Sequence, residues 1–210
     1  MGNSQSIKAH IEVSNLAMSR GGMPLFAGIS IEISNGDILW IQGDNGIGKT
    51  TLLGALAGLH MVDSGKINWT LNDAPCQAGQ IAAYQPHRSY AKPSLTTRED
   101  LNFWASLYGA SAMVTATLEK VGLTAKADVP TGKLSAGQKR RLALAKLITA
   151  QKPIWIMDEP AAAMDQDGVK LIDALVQEHV SKGGAAIIAS HSAARALSKK
   201  TRTLTLRAAT

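Results

Sequence analysis

An α/β fold is expected for this chain: a parallel sheet covered on both faces, with an antiparallel β subdomain and an inserted helical subdomain. Three observations predict it. Apolar runs without alternation stand at Ile38-Leu39-Trp40-Ile41, Ile154-Trp155-Ile156-Met157 and residues 185–189, as strands buried on both faces require. Segments of helical periodicity separate them, the order that builds a parallel sheet. Near Ile11 and Val13, and again over residues 29–34, apolar and polar positions instead alternate, the mark of half-buried, mostly antiparallel strands.

The elements follow in order. Ile11 and Val13 alternate with polar neighbours, as do Ile29, Ile31 and Ile33. Asn35-Gly36-Asp37 is a turn signal, and the first buried run comes directly after it. Residues 50–59 are expected to be helical, with Leu52, Leu53, Leu56 and Leu59 apolar. Asp63-Ser64-Gly65 turns into a short strand at 66–71, and 81–84 is a further short strand. Thr96 and Glu99 have capping-box spacing, with Leu101, Trp104, Ala105 and Tyr108 on one helical face. Helices are expected over 111–121, from Ser135 onward, and over 169–181, and residues 203–206 alternate again. Residues 90–150 read as the helical subdomain inside a single domain spanning 1–210, with no internal repeat and no low-complexity linker.

Composition narrows the class. The chain has 210 residues, 45% hydrophobic and 18% charged, which suits a packed core in one large domain. Twenty-two Lys and Arg against 16 Asp and Glu leave +6, a mild excess compatible with an anionic nucleotide, a membrane face or a solvated basic surface. Cys76 is the one cysteine, so no internal disulfide is possible, which fits a reducing compartment. No apolar stretch approaches the roughly 18 residues that span a membrane. Met1-Gly2-Asn3-Ser4-Gln5-Ser6 lacks an apolar signal core and matches the loose myristoylation pattern.

The chemistry begins at Gly43-Asp44-Asn45-Gly46-Ile47-Gly48-Lys49-Thr50, with Thr51 following, which satisfies G-x-x-x-x-G-K-[ST] between a buried strand and a helix. The glycines let successive N–H groups converge on an anion. Lys49 is placed to reach the β- and γ-phosphates and the Thr50 hydroxyl to bind Mg²⁺. The loop fixes the phosphate-loop (P-loop) NTPase core, but it does not separate ATPases from GTPases or small-molecule kinases.

Asp158 and Glu159 close a buried strand, at the sheet end where ligands gather. Asp158 is the candidate for the Mg²⁺ shell and Glu159 for polarising the attacking water. Gln85 and His191 also follow strands, where an amide can orient water and touch Mg²⁺ and an imidazole can meet the γ-phosphate. Leu134-Ser135-Ala136-Gly137-Gln138 is a second phosphate-binding element, a helix start carrying Ser and Gly. Two such elements of different types suggest a nucleotide shared between two protein bodies.

Together these residues resemble the ATP-binding cassette family over essentially the whole chain. Residues 43–51 match its Walker A motif, Gln85 its Q-loop, residues 134–138 its signature loop and 154–159 its Walker B motif. Glu159 falls at the catalytic glutamate, Asp165 at the D-loop aspartate and His191 at the switch histidine. The resemblance implies a RecA-like core and two cassettes packed head to tail. Each ATP would lie between Walker A of one and the signature loop of the other, so that Ser135 and the Gly137 N–H contact the partner's γ-phosphate. Three departures stand out: Ala136 in place of the first signature glycine, Ala162-Ala163-Met164-Asp165 without the usual D-loop serine, and Arg20 where an aromatic residue usually stacks adenine. A guanidinium plane can also stack on a base; an exposed structural arginine is the alternative.

Residues 133–147 and 152–160, with Asp167-Gly168-Val169, Glu178-His179 and Lys182-Gly183-Gly184, are similar to ATP-binding subunits of the haem exporter of cytochrome c maturation. That resemblance implies an ATPase with Mg²⁺ as cofactor, a second cassette (a homodimer), integral membrane permease subunits, and a peripheral place at the cytoplasmic face of the bacterial inner membrane. A Tyr90, Leu95, Phe103 and Trp104 cleft after the Q-loop would dock a permease helix. No bound haem is expected: no Cys-x-x-Cys-His motif occurs, and His10, His60, His87 and His179 have no ligand-like pairing. An ATPase subunit of another importer or exporter shares every ATP motif. A cassette acting on nucleic acid is not expected, because roughly 50 residues separate Gln85 from Ser135 and no heptad run fills them.

Overall fold

The computed structural model describes residues 7–88, 90–191 and 194–208. The amino-terminal lipidation pattern lies outside the described residues. Two sheets form the body. A four-stranded antiparallel sheet has the order β2 (Met23–Ser34), β1 (Ala9–Arg20), β4 (Ser64–Leu71), β5 (Ala74–Pro75). A five-stranded parallel sheet has the order β6 (Ala82–Gln85), β7 (Ile154–Asp158), β8 (Ala185–Ala189), β3 (Ile38–Gln42), β9 (Thr201–Thr205).

The absence of alternation in the central strands has a direct cause. Leu39, Ile41, Ile154, Ile156 and Ile187 pack on one side with Ile11, Val13, Leu52 and Leu56. Ile38, Trp40, Trp155, Met157 and Ile188 pack on the other with Leu142, Leu144, Ile172 and Val176. Each strand therefore faces two cores, one shared with the antiparallel sheet and α1 (Lys49–Leu56), the other with α5 (Ala136–Ala150) and α6 (Gln166–Ser181). The alternating residues of β1 and β2 pair Ile11 with Ile33 and Val13 with Ile31, which sends one face inward. Asn35 ties the two sheets together: its Oδ1 accepts from the Ala9 N–H at 2.8 Å and its Nδ2 donates to the carbonyls of Ile7 and Gly183.

Between β6 and β7 the chain forms α3 (Thr97–Ser106), a short 3₁₀ turn, α4 (Val114–Lys120) and then α5. The Thr96 cap forms as the spacing predicts: Thr96 Oγ1 accepts from the Glu99 N–H at 3.2 Å, and the Thr96 N–H donates to the Glu99 carboxylate at 2.8 Å. Leu101 and Ala105 are fully buried, but Tyr108 lies beyond the end of α3 and is 43% exposed.

Several boundaries differ from expectation. α1 stops at Leu56 and not near Leu59, because Gly58 takes φ 72° and Leu59 faces solvent. Ile81 closes a one-turn helix, α2 (Ala78–Ile81), so the following strand starts at Ala82. The helix expected over 111–121 splits into a 3₁₀ turn at Ser111–Met113 and α4. The alternating tail becomes an edge strand, parallel to β3.

At the amino-terminal end of the parallel sheet, His179 of α6 stacks on Trp155 with ring centroids 4.0 Å apart, and its Nε2 lies 3.1 Å from the Pro153 carbonyl. Burial pushes its imidazole down to about 4. The folded group thus takes up its proton at lower pH than the unfolded one, and stability is lost as pH falls from about 6.5 toward 4. Between pH 7 and pH 5 this residue alone should remove about 2 kcal/mol. Urea unfolding at the two pH values should show a smaller acid-induced loss in His179→Phe, which keeps the stack, than in the parent.

Candidate functional site

The carboxyl ends of β3, β7 and β8 meet the phosphate loop. Gly43, Gly46 and Gly48 have φ of 142°, 82° and 107°, a region that side chains disfavour. Two of them face a second constraint. A Cβ on Gly43 would sit 3.0 Å from the Leu206 carbonyl oxygen, and one on Gly48 would sit 3.0 Å from the Phe26 ring. The loop folds over the start of α1, where Lys49 Nζ donates to the carbonyls of Gly43 (2.7 Å) and Asp44 (3.0 Å). Next to it, the Thr50 hydroxyl donates to Asp158 Oδ2 at 2.7 Å. Asp158 is 1% exposed, so its carboxylate is held from inside the protein.

Glu159 follows at φ 48°, a left-handed conformation for a residue with a side chain, and its N–H donates to the Ala189 carbonyl at 2.9 Å. His191 Nε2 lies 3.2 Å from Glu159 Oε1. That oxygen accepts no directed hydrogen bond, so the pair is in contact and not locked. The Glu159 side chain is largely shielded and that of His191 is half exposed.

A cavity of about 380 Å³ joins these groups. Its wall takes Asn45, Gly46, Gly48, Lys49, Thr50 and Thr51 from the loop and helix, Asp158, Glu159 and His191 from the strand ends, and Arg20 from the end of β1. Gly43, Asp44 and Ile47 shape the loop without lining the cavity. Leu25, His87 and Ala162 also line it and were not foreseen. His87 had a usable signal, since it stands two residues beyond the strand-end Gln85; Leu25 reaches the site only through the β1–β2 hairpin.

Gln85 is 2% exposed and lines a neighbouring apolar cleft, and neither its Oε1 nor its Nε2 has a hydrogen-bond partner. An unpaired buried amide asks for a ligand. The Thr50 hydroxyl and Asp158 line the nucleotide cavity and suit a Mg²⁺ ion, whereas Gln85 lies outside its wall and would have to turn toward them to share one. Among the described residues no group of three His, Cys, Asp or Glu could hold a metal ion.

The signature residues lie apart from this cavity. Ser135 caps α5, its Oγ accepting from the Gln138 N–H at 3.2 Å while its own N–H donates to the Gln138 side chain at 3.0 Å. Ala136 is an exposed first helical residue, so its methyl meets ordinary backbone angles there. A Cβ on Gly137 would stand 3.3 Å from the Ala163 carbonyl, which brings the signature turn against the D-loop of the same chain. Asp165 caps α6, accepting from the Gly168 N–H at 2.8 Å.

The model of the family described as ABC transporter matches residues 26–162. The chain is 42% identical over 181 residues to the cytochrome c biogenesis ATP-binding export protein CcmA of Paracoccus denitrificans, covering 86% of this chain and 82% of that one. It is 40% identical to the CcmA protein of Haemophilus influenzae (86% and 88% covered) and 41% identical to that of Xanthomonas oryzae (92% of each). The chain belongs to the ABC transporter family, in its CcmA group. Among solved structures, a Pyrococcus furiosus protein assigned as an ABC transporter ATP-binding protein superposes with a TM-score of 0.80 at 26% identity, covering 94% of this chain and 97% of that one. The ATP-binding cassette MJ0796, in a dimeric post-hydrolysis state bound to ADP and Pi, shares the fold with a TM-score of 0.77 at 18% identity, over 87% of this chain and 88% of that one. The family is one of ATPases, and among the described residues no helix is long and apolar enough to cross a membrane.

Gly48→Ala should strain the loop twice, in backbone angle and against Phe26, at a loss of about 1–3 kcal/mol, whereas Gly46→Ala meets open space and should lose only the backbone part, about 1 kcal/mol. Urea unfolding with titration of a fluorescent ATP analogue checks the ranking; Gly48→Ala should bind nucleotide at least roughly tenfold more weakly.

Proposed function

We propose that this chain is the ATP-hydrolysing subunit of a haem exporter acting in cytochrome c biogenesis. The observation that carries the ATPase is the convergence, on one cavity, of Lys49, the Thr50–Asp158 pair and the Glu159–His191 pair. The similarity to CcmA proteins along most of the chain supports the export role.

ATP enters with its phosphates over the loop. The backbone N–H groups of 43–51 and the start of α1 favour the anion, and Lys49 exchanges its two carbonyl partners for β- and γ-phosphate oxygens. Arg20, at the cavity edge, offers a guanidinium face to adenine. When bound, Mg²⁺ supplies charge neutralisation on the phosphates, held by Thr50, Asp158 and Gln85. Glu159 accepts the proton of the attacking water, and His191 beside it donates a hydrogen bond toward the γ-phosphate.

The site is open on the side away from this wall. A second copy completes it: Ser135, Ala136, Gly137 and Gln138 of one cassette close over the ATP of the other, and Asp165 with its loop lies at the junction. The dimeric ADP-bound cassette of the same fold supports this assembly. Mg²⁺ and ATP suffice for the chemistry, and no haem binds the chain itself.

Permease subunits are the remaining partners, with the cassette peripheral to the cytoplasmic face of the inner membrane. Their docking place is the apolar cleft of about 300 Å³ beside Gln85, lined by Tyr90, Trp104, Tyr108 and Leu147. Leu95 and Phe103, grouped with this cleft from sequence, do not line it, and Phe103 points to solvent.

Glu159→Gln should keep ATP binding and lose roughly 10²–10⁴-fold in turnover; phosphate release by the purified chain reads this, and unaltered hydrolysis removes Glu159 from its role. Lys49→Ala should weaken nucleotide binding and stop the appearance of c-type cytochromes in a haem-stained gel of cells that carry it. Reversing Arg88 and Lys92 to glutamate should release the chain from membranes in flotation; intact recruitment rules out docking at this loop.

A further inference from the structure

The loop leaving Gln85 is shared between two sites. His87 lines the nucleotide cavity, while Pro86, Tyr90 and Ala91 line the apolar cleft. Because the Gln85 amide has no hydrogen-bond partner of its own, its place is set by the backbone that carries it. That backbone is gripped from α5, the helix that the signature loop opens.

We propose that Arg140 is a positioning residue: its guanidinium, fixed on the signature helix, holds the loop carbonyls after Gln85 and thereby sets from where the Gln85 amide can reach a metal held by Thr50 and Asp158. Arg140 Nη2 donates to the His87 carbonyl at 3.0 Å and Nη1 to the Pro86 carbonyl at 3.4 Å. The side chain is 7% exposed. A buried guanidinium without a carboxylate hydrogen-bonded to it is retained only where it satisfies fixed acceptors, and here the acceptors are the loop itself. Burial foremost disfavours its charge, and the nearby carboxylates of Asp158 and Glu159 support it.

A second grip from the same helix fixes the far end of the loop. Lys146 Nζ donates to the Tyr90 carbonyl at 2.7 Å and pairs with Asp100 at 2.5 Å, while Asp100 accepts from the Lys92 N–H at 3.1 Å. Residues 86–88 and 90–92 are thus held by two cations of one helix.

The proposal rests on the reading of Gln85 as a residue that addresses the metal and the attacking water. Its test is a double-mutant cycle on the purified full chain with Arg140→Met, Gln85→Ala and both together. Three quantities are read: kcat, the Kd for ATP without metal, and the Mg²⁺ concentration that half-saturates ATP binding. Arg140→Met should lower kcat roughly 10- to 100-fold, leave metal-free ATP affinity within about threefold, raise the Mg²⁺ midpoint, and add nothing further to Gln85→Ala. Arg140→Lys, which keeps the charge but loses the two-pronged hold, should recover part of the loss and serves where the methionine variant folds poorly. Additive effects, or a lower melting temperature with unchanged kcat and Mg²⁺ midpoint, overturn the positioning role. If Gln85→Ala itself changes neither kcat nor the Mg²⁺ midpoint, the reading of Gln85 fails and the proposal with it, a result distinct from additivity.

Discussion

The hydrogen bond from Thr50 to Asp158 is the constraint on which the rest of the site depends. It spans 2.7 Å between residues 108 apart in sequence and joins the first helix to β7. Asp158, at 1% exposure, has its buried polar oxygen met by this hydroxyl. Since β7 lies between β6 and β8, fixing its end also fixes the ends that carry Gln85 and His191. The cavity follows from strand order: β7 hands it Asp158 and Glu159, the segment after β8 hands it His191, and Gln85 at the end of β6 faces the neighbouring cleft.

Much of this was legible in the chain. The buried runs at 38–41, 154–157 and 185–189 became neighbouring parallel strands because a sheet coated on both faces needs apolar residues at every position. Asp158, Glu159 and His191, read from their places at strand ends, share one cavity with residues of the phosphate loop, and Arg20, singled out by the family resemblance, also lines it. What stayed hidden has physical reasons. The end of α1 depended on one glycine adopting φ 72°, and helical periodicity runs past such a point without notice. The turn before β6 is a single helical turn, too short to leave a period. Phe103 reads as apolar but lies on the outer side of α3, since a helix face cannot be assigned before its neighbour is known. Leu25 enters the site through tertiary approach alone, whereas His87 stands close after the strand-end Gln85.

Ser135, expected to meet a partner's nucleotide, and Asp165, matched to the D-loop, are in this chain by itself occupied with local structure. Ser135 satisfies the exposed N–H groups at the start of α5, and Asp165 does the same for α6. A capping side chain is held in one rotamer at a helix start, where N–H groups also point outward. Local stability and a preformed anion site therefore come from the same residues, and the close approach of Gly137 to Ala163 keeps the two caps in register.

The lysine of the phosphate loop has a further consequence. Lys49 rests on two carbonyls of its own loop, so its ammonium is satisfied before any anion arrives. Nucleotide capture is then an exchange of partners and not the quenching of a bare charge, which lowers the net gain on binding. The same arrangement works in reverse after hydrolysis. As the products depart, the ammonium returns to waiting acceptors, and no naked cation is left to hold them back. A loop that keeps its lysine at home trades tightness of grip for ease of release, which favours a motor that must let go in every cycle.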